Sequence, residues 1–195
     1  MAKLEILKFP DPRLRKLSLP VEKVDDEVQS YLDDMLETMY SFNGISLAAP
    51  QVNRLQRMIV IDTRVKEDND RYDQEKMTEL EKKIEQPLFL INPEIVKKEG
   101  KTTYDEGCLS VPSYYETVER FDYIEINAMD KFGNPIRVKA DGLLSICIQH
   151  EIDHLDGKLF IDHLSVVKSG KIKKQIKKHG YPDPKDDKED EDAAE

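Results

Sequence analysis

The stretch from 142 to 156 constrains this chain more than any other. Gly142-Leu143-Leu144-Ser145-Ile146-Cys147-Ile148 is apolar on nearly every side. It runs directly into Gln149-His150-Glu151-Ile152-Asp153-His154-Leu155 and is closed by Gly157. A helix that is apolar all round belongs in an interior, so the fold has to be built around it, with Asp141 placed to cap its start. The same helix carries two imidazoles and a glutamate inward. A buried carboxylate without a partner is costly, so the second half of the segment needs a reason to be there.

Helical geometry supplies one. Residues four apart share a face, so His150 and His154 can reach a single cation. Glu151 sits about 100° further round, where it can touch a water beside such an ion without being a ligand. Two histidines on metal and one glutamate as general base is the arrangement of zinc peptidases. A third ligand has few candidates. Cys147 shares the histidine face but lies about 10 Å along the axis from His154 at ~1.5 Å per residue, so it reads as a small buried hydrophobe. Cys108, in the Gly/Pro-bounded segment Glu106-Gly107-Cys108-Leu109-Ser110-Val111-Pro112, can bring a thiolate to the helix and leave a fourth tetrahedral position open. His163 and His179 stand in polar surroundings and read as surface residues.

The rest of the chain supports one core. Its 195 residues suit a single domain with a tail. Val28, Leu32, Met35, Leu36 and Met39 follow a helical period behind the capping candidates Asp25 and Asp26, and Asn43-Gly44 supplies a left-handed stop. Short strands are expected at 58–61, 88–91 and 123–129, with a turn at 131–135 leading into Ile136-Arg137-Val138. Strands on both sides of one buried helix predict an α+β domain of mostly antiparallel sheets around that helix. Residues 66–87, of which thirteen are charged, read as a surface insertion with a short helix and a thin stripe of Met77, Leu80 and Ile84. Residues 1–180 would form the domain, and 181–195 an acidic, disordered tail.

The net charge of −10 is unevenly spread: Asp183 to Glu195 alone contributes −6. Just before it, Lys168, Lys171, Lys173, Lys174, Lys177 and Lys178 make a basic helix with Ile172 and Ile176 on one face. It reads either as a solvated face or as a contact for a polyanion. No apolar run approaches the ~18 residues of a membrane span. Two cysteines are too few for a disulfide framework, which favours a reducing cytoplasm.

Three segments in this order resemble the peptide deformylase family. Gly44-Ile45-Ser46-Leu47-Ala48-Ala49-Pro50-Gln51 is similar to its first motif, with Ser46 where the family commonly has glycine. Glu106-Gly107-Cys108-Leu109-Ser110 and Gln149-His150-Glu151-Ile152-Asp153-His154-Leu155 match the second and third. The resemblance runs from about Leu4 to about Leu164.

It implies an N-terminal processing enzyme of protein biosynthesis that removes the formyl group from formyl-methionine of nascent polypeptides. It implies one ferrous ion on Cys108, His150 and His154, with Zn2+, Ni2+ or Co2+ as possible substitutes. Glu151 would be general base and acid as a metal-bound hydroxide attacks the formyl carbon. Gln51 and the backbone N–H of Leu109 would stabilise the oxyanion. Gly44, Ile45, Ser46, Glu106, Leu143, Ile146 and Cys147 would line the methionine pocket, with Glu106 paired to Arg120. A cytoplasmic monomer docking near the ribosomal tunnel exit through its basic helix completes the expectation. Two rivals remain, a zinc peptidase of another family and a non-catalytic ribosome- or nucleic-acid-binding module. Neither explains Cys108, Gln51 and Glu151 together.

Overall fold

A computed structural model describes residues 3–64 and 77–181. Seven strands and three α-helices organise them, and the buried helix is at the centre. Helix α1 (Asp26–Ser41) starts at Asp25, whose carboxylate accepts the Val28 N–H at 3.1 Å. After α1 the chain turns back through Asn43 in the left-handed region, φ +53°. The sheet follows: β1 (Ser46–Ala48), β2 (Met58–Ile61), β3 (Leu88–Glu99), β6 (Tyr123–Met129) and β7 (Pro135–Ala140), adjacent in that order and antiparallel throughout. Between β3 and β6, strands β4 (Thr102–Cys108) and β5 (Val111–Arg120) form a separate two-stranded ribbon. Helices α2 (Gly142–Leu155) and α3 (Val166–His179) complete the fold.

Strand β2 shows why its sequence is uniformly apolar, since all four of its residues are buried. Ile59 and Ile61 pack towards α2 with Leu144, Cys147 and Ile148. Met58 and Val60 face the other way, onto Leu32, Met35 and Met39 of α1. A strand covered on both faces loses the alternation of a half-exposed one. Met35, Met39 and Met58 fill this core, as flexible unbranched side chains can. A third cluster joins the N-terminal segment, β5 and α3 through Leu7, Phe9, Val111, Phe160, Ile172 and Ile176. The α+β architecture around a central helix is the one expected, and eleven of the fourteen α2 residues are buried.

Three features differ from the expectation. The strand marked at 88–91 continues to Glu99, past an irregularity between Ile91 and Glu94. Lys97, Lys98 and Glu99 hid it, because charged residues carry no apolar signal. Strands β4 and β5 were not among those expected, for a related reason: most of their residues are only partly buried or exposed, so the apolar signal along them is faint.

The start of α2 is the third. Asp141 occupies the capping position but its side chain bonds no helix N–H; it accepts from the Thr78 hydroxyl instead. The Leu144 N–H donates to Oε1 of Glu81 at 2.7 Å. Glu81 is fully buried, so the described part of the charged insertion is a structural support for the helix and not only a surface excursion. Residues 66–76 lie outside the described residues. A carboxylate at a helix N-terminus is stabilised by the exposed N–H groups and the helix dipole. Gly142 makes room for it. Its φ is +55°, and a Cβ there would lie 2.7 Å from the Glu81 carboxylate.

Glu81→Ala should lower unfolding free energy by about 1–3 kcal/mol, the cost of leaving buried donors unpaired. Its Oε2 also accepts the Thr78 N–H, at 3.0 Å. Urea denaturation checks this, and an unchanged midpoint would contradict the capping role.

Candidate metal centre

His150 and His154 lie one turn apart on α2, behind Leu143, Ile146 and Cys147 on the same stripe. Cys108 ends β4 and reaches them from the ribbon. The thiol sulfur is 3.2 Å from His154 Nε2, and the two Nε2 atoms are 3.2 Å apart. The three ligand atoms all lie within 4.8 Å of one another, and no other such group occurs among the described residues. Separations of this size approach the edge of a tetrahedron around an ion at about 2.0–2.3 Å. One thiolate and two imidazoles suit a transition-metal ion, so the residues fit the metal expected of them. Cys147 is buried in the apolar cluster between sheet and helix, and burial pushes its thiol well above the ordinary range.

The first ligand histidine is oriented by a buried ion network. His150 Nδ1 donates to Glu106 Oε2 at 2.8 Å, which leaves Nε2 to face the cluster. Glu106 also accepts from Arg120 Nε at 2.6 Å and from the same guanidinium's second nitrogen at 3.0 Å. Arg120 then donates to Asp153 at 2.6 Å, and Asp153 meets His163 at 2.6 Å. Burial opposes ionisation of Glu106, yet bonds from Arg120 and His150 hold its pKa at about 2. Asp153 is likewise held at about 2, against burial, by His163 and Arg120. The Glu106–Arg120 pair was expected; the branch through Asp153 to His163 was not. Phe160 stacks on the His150 ring at 6.3 Å between centroids.

The first motif arrives from the opposite side. Gln51 is buried on a short 3-10 turn after β1. Its Oε1 accepts the Ala48 N–H at 2.8 Å, which aims its amide nitrogen at Cys108 Sγ, 3.6 Å away, and at Ser110 Oγ, 3.2 Å away. The Ser110 N–H also donates to the Cys108 sulfur at 3.4 Å. The N-terminal segment binds both loops: Leu7 N–H donates to Gln51 O at 2.7 Å and Phe9 N–H to Ser110 O at 2.8 Å. Tyr181 closes the arrangement by donating to Phe9 O at 2.8 Å. Ser110 belongs to the second motif, where its type alone does not reveal this contact, and no local pattern signals Leu7, Phe9 or Tyr181, because they act through backbone atoms or a distant hydroxyl.

Gly44 packs against the Leu109 side chain, and Gly107 lies under the Tyr115 ring, where a Cβ would be 2.4 Å from a ring carbon. Ile45 packs against the cluster that contains Leu143 and Cys147, and Ile146 is buried beside them on α2. Glu151 is 1% exposed, and its Oε2 and His154 Nδ1 are buried without a hydrogen-bond partner among the described residues. Burial raises the Glu151 pKa, so its carboxyl holds a proton more readily than an exposed one. His163 is part of the ion network and not only a surface group, whereas His179 is exposed at the end of α3.

A Cys-His-His centre with a buried glutamate beside it, on a helix enclosed by antiparallel sheet, defines a metal-dependent hydrolase. The polypeptide deformylase family model matches residues 3–170. A peptide deformylase of Cellvibrio japonicus is 50% identical over 179 residues, covering 91% of this chain and 96% of that one. One from Alkalilimnicola ehrlichii is 48% identical over 178 residues, 91% of each. Among solved structures, the peptide deformylase of Ehrlichia chaffeensis superposes with a TM-score of 0.80 at 38% identity, covering 93% of this chain and 99% of that one. The chain belongs to the polypeptide deformylase family, and it is an enzyme that removes N-formyl groups with a bound metal. No helix among the described residues is long and apolar enough to cross a membrane.

Glu106→Gln should weaken metal binding about 10–100-fold, the usual effect of losing a partner that orients a ligand. Arg120 keeps Asp153, so the fold should survive. Chelator competition against wild type measures the change, and equal affinity would remove Glu106 from the metal's support.

Proposed function

We propose that Glu151 is the general base and acid of formyl hydrolysis from formyl-methionyl chains, with ferrous iron on Cys108, His150 and His154. A bound divalent ion supplies Lewis-acid activation of water. The observation that carries the reading is a buried carboxylate with one unpartnered oxygen, beside three converging ligands and not among them. Glu151 takes a proton from the attacking water and delivers it to the departing amine. The Gln51 amide and the Leu109 N–H orient the formyl oxygen. The Ala48 bond to Gln51 supports this, because it fixes which end of the amide faces Cys108. Gly44, Ile45, Ser46, Leu143, Ile146 and Cys147 hold the methionine, and Glu106 braces its floor through His150. A formyl carbon is the smallest acyl centre, so a close-walled site excludes internal peptide bonds by size.

We also propose cytoplasmic action as a monomer near the ribosomal tunnel exit, with α3 as the contact. Lys173, Lys174, Lys177 and Lys178 line one open face of that helix. They are not equivalent: Lys173 pairs with Asp162 at 2.8 Å, and Lys168, earlier on the helix, pairs with Glu116 at 2.6 Å. The available charge is therefore concentrated on Lys171, Lys174, Lys177 and Lys178. Of the tail expected at 181–195, Tyr181 packs on the domain, and residues 182–195 lie outside the described residues.

Glu151→Gln should keep its metal and lose about 10²–10⁴-fold in turnover on a formyl-Met peptide, the range of general acid–base catalysis. Metal analysis and steady-state kinetics check both halves, and near-wild-type turnover would sink the assignment. Ribosome sedimentation should fall with salt, as phosphate contacts do, and rise when 183–195 are removed. Failure of both forms to sediment at low salt would return α3 to a solvated face.

A further inference from the structure

Residues 78–86 belong to the stretch that the sequence presents as a surface insertion, yet they hold α2 by its first turn. Thr78 and Glu81 bond reciprocally. The Glu81 N–H donates to Thr78 Oγ1 at 3.0 Å, and the Thr78 N–H donates to Glu81 Oε2 at 3.0 Å. This is a Thr-x-x-Glu capping box, but each side chain has a second use. The other Glu81 oxygen accepts the Leu144 N–H of α2 at 2.7 Å. The Thr78 hydroxyl donates to Asp141, the residue at the capping position of that helix. Further along, Gln86 Oε1 accepts the Thr63 N–H just beyond β2, at 2.7 Å, and both residues are buried. Between the two anchors, Ile84 packs on the cluster that contains Leu143 and Leu144.

We propose that Glu81 is a positioning residue for side-chain selection: it fixes the first turn of α2, and with it the walls Leu143 and Ile146, so that the methionine pocket keeps one width. Glu81 acts through the helix backbone and not by contact with substrate. This inference rests on the assignment of Leu143 and Ile146 to that pocket.

The first N–H groups of a helix have no partner within it, so a first turn is held only by what lies outside. Leu143 and Ile146 are three apart and share a face, and the Leu144 N–H lies between them in the chain. A shift of this turn therefore moves both walls. The other end of the segment reaches the opposite side of the pocket. Thr63, held by Gln86, follows Asp62, whose N–H donates to the Ile45 carbonyl at 2.8 Å. Residues 81–86 are thus a strut between the helix that carries Leu143 and the strand ends that carry Ile45. A packed wall rejects an oversized side chain because accommodating it forces the surroundings to move. A wall released from its strut yields and rejects less.

The test compares Glu81→Ala, Glu81→Gln, Val28→Ala and Ile146→Ala on short formyl-Met and formyl-Phe peptides, with the metal-loaded full chain, well below the unfolding temperature of each variant. Glu81→Ala should raise KM for the formyl-Met peptide about 3–10-fold, the size expected for one hydrogen bond. Its kcat and metal content should stay within about twofold of wild type, as when only uniform binding is lost. The preference for formyl-Met over formyl-Phe in kcat/KM should fall by a similar factor. Glu81→Gln keeps an oxygen for the Leu144 N–H, so it should restore most of the preference. Val28→Ala truncates a core residue of α1 in a different cluster from Leu143 and Ile84. It lowers stability without touching the strut and should leave the preference unchanged. An unchanged preference in Glu81→Ala, an equal fall in Val28→Ala, or a Gln variant as indiscriminate as the Ala one would overturn the proposal and leave Glu81 a stabilising cap alone. Ile146→Ala separates the two ideas. If it leaves the preference unchanged, the pocket assignment fails and the strut's role falls with it. If it shifts the preference while Glu81→Ala does not, the pocket stands and only the strut's role falls.

Discussion

Glu106 is the group on which the site depends. One carboxylate, buried at the end of β4, accepts from Arg120 on β5 and from His150 on α2. Burying it is favourable only with both partners present, and removing one partner of a buried pair leaves an uncompensated charge. Ribbon and helix are therefore locked in one relative position. A register slip of β4 against β5 would turn Glu106 or Arg120 to the wrong face and strand the other. Arg120 extends the lock by one turn of α2 through Asp153. The ribbon that carries Cys108 and the helix that carries both histidines thus meet at a fixed place before any metal arrives.

Polar satisfaction divides α2 into two kinds of position. Ser145 and Gln149 bond fully to the backbone around Phe121, at 2.8–3.0 Å, and serve to seat the helix. Glu151 and His154 each retain a buried atom without a partner. Orphan polar atoms are expensive in a folded interior and call for an explanation when they occur. Among the described residues the Glu151 orphan is the one that a molecule reacting at the cluster would complete, because the His154 orphan is Nδ1, on the other side of the ring from the Nε2 that faces Cys108.

Much of this was legible in the sequence, because the informative signals were strong and local. The apolar helix, the two histidines four apart and the cysteine in its glycine-bounded segment each follow from one short stretch. The β2 strand and α1 followed from apolar runs and period. What escaped was non-local or half-exposed. Glu81 caps a helix some sixty residues later, and its neighbours carry the charge pattern of a surface segment. The β4–β5 ribbon alternates too weakly to be read, although it holds Cys108 and Glu106. Arg120 was legible as a partner for Glu106 but its second arm to Asp153 was not, since nothing in one dimension distinguishes a guanidinium with one partner from one with two.

The N-terminal segment gives the molecule an order of assembly. Leu7 and Phe9 are tied to Gln51 and Ser110, and the Phe9 carbonyl is tied to Tyr181 across 172 residues. Closing such long loops costs entropy before the contacts repay it, and topologies dominated by distant pairings fold slowly. During synthesis the first of these residues leaves the ribosome well before its partners exist. Helix α1, the β1–β2–β3 sheet and the ties of Leu7 and Phe9 to Gln51 and Ser110 can form before the chain is complete, but the tie from Tyr181 to Phe9 has to wait until the last helix has emerged. The last tie on the segment that braces the catalytic loops is thus made by a residue beyond the final helix, so the surroundings of the most deeply buried helix are completed from the far end of the chain.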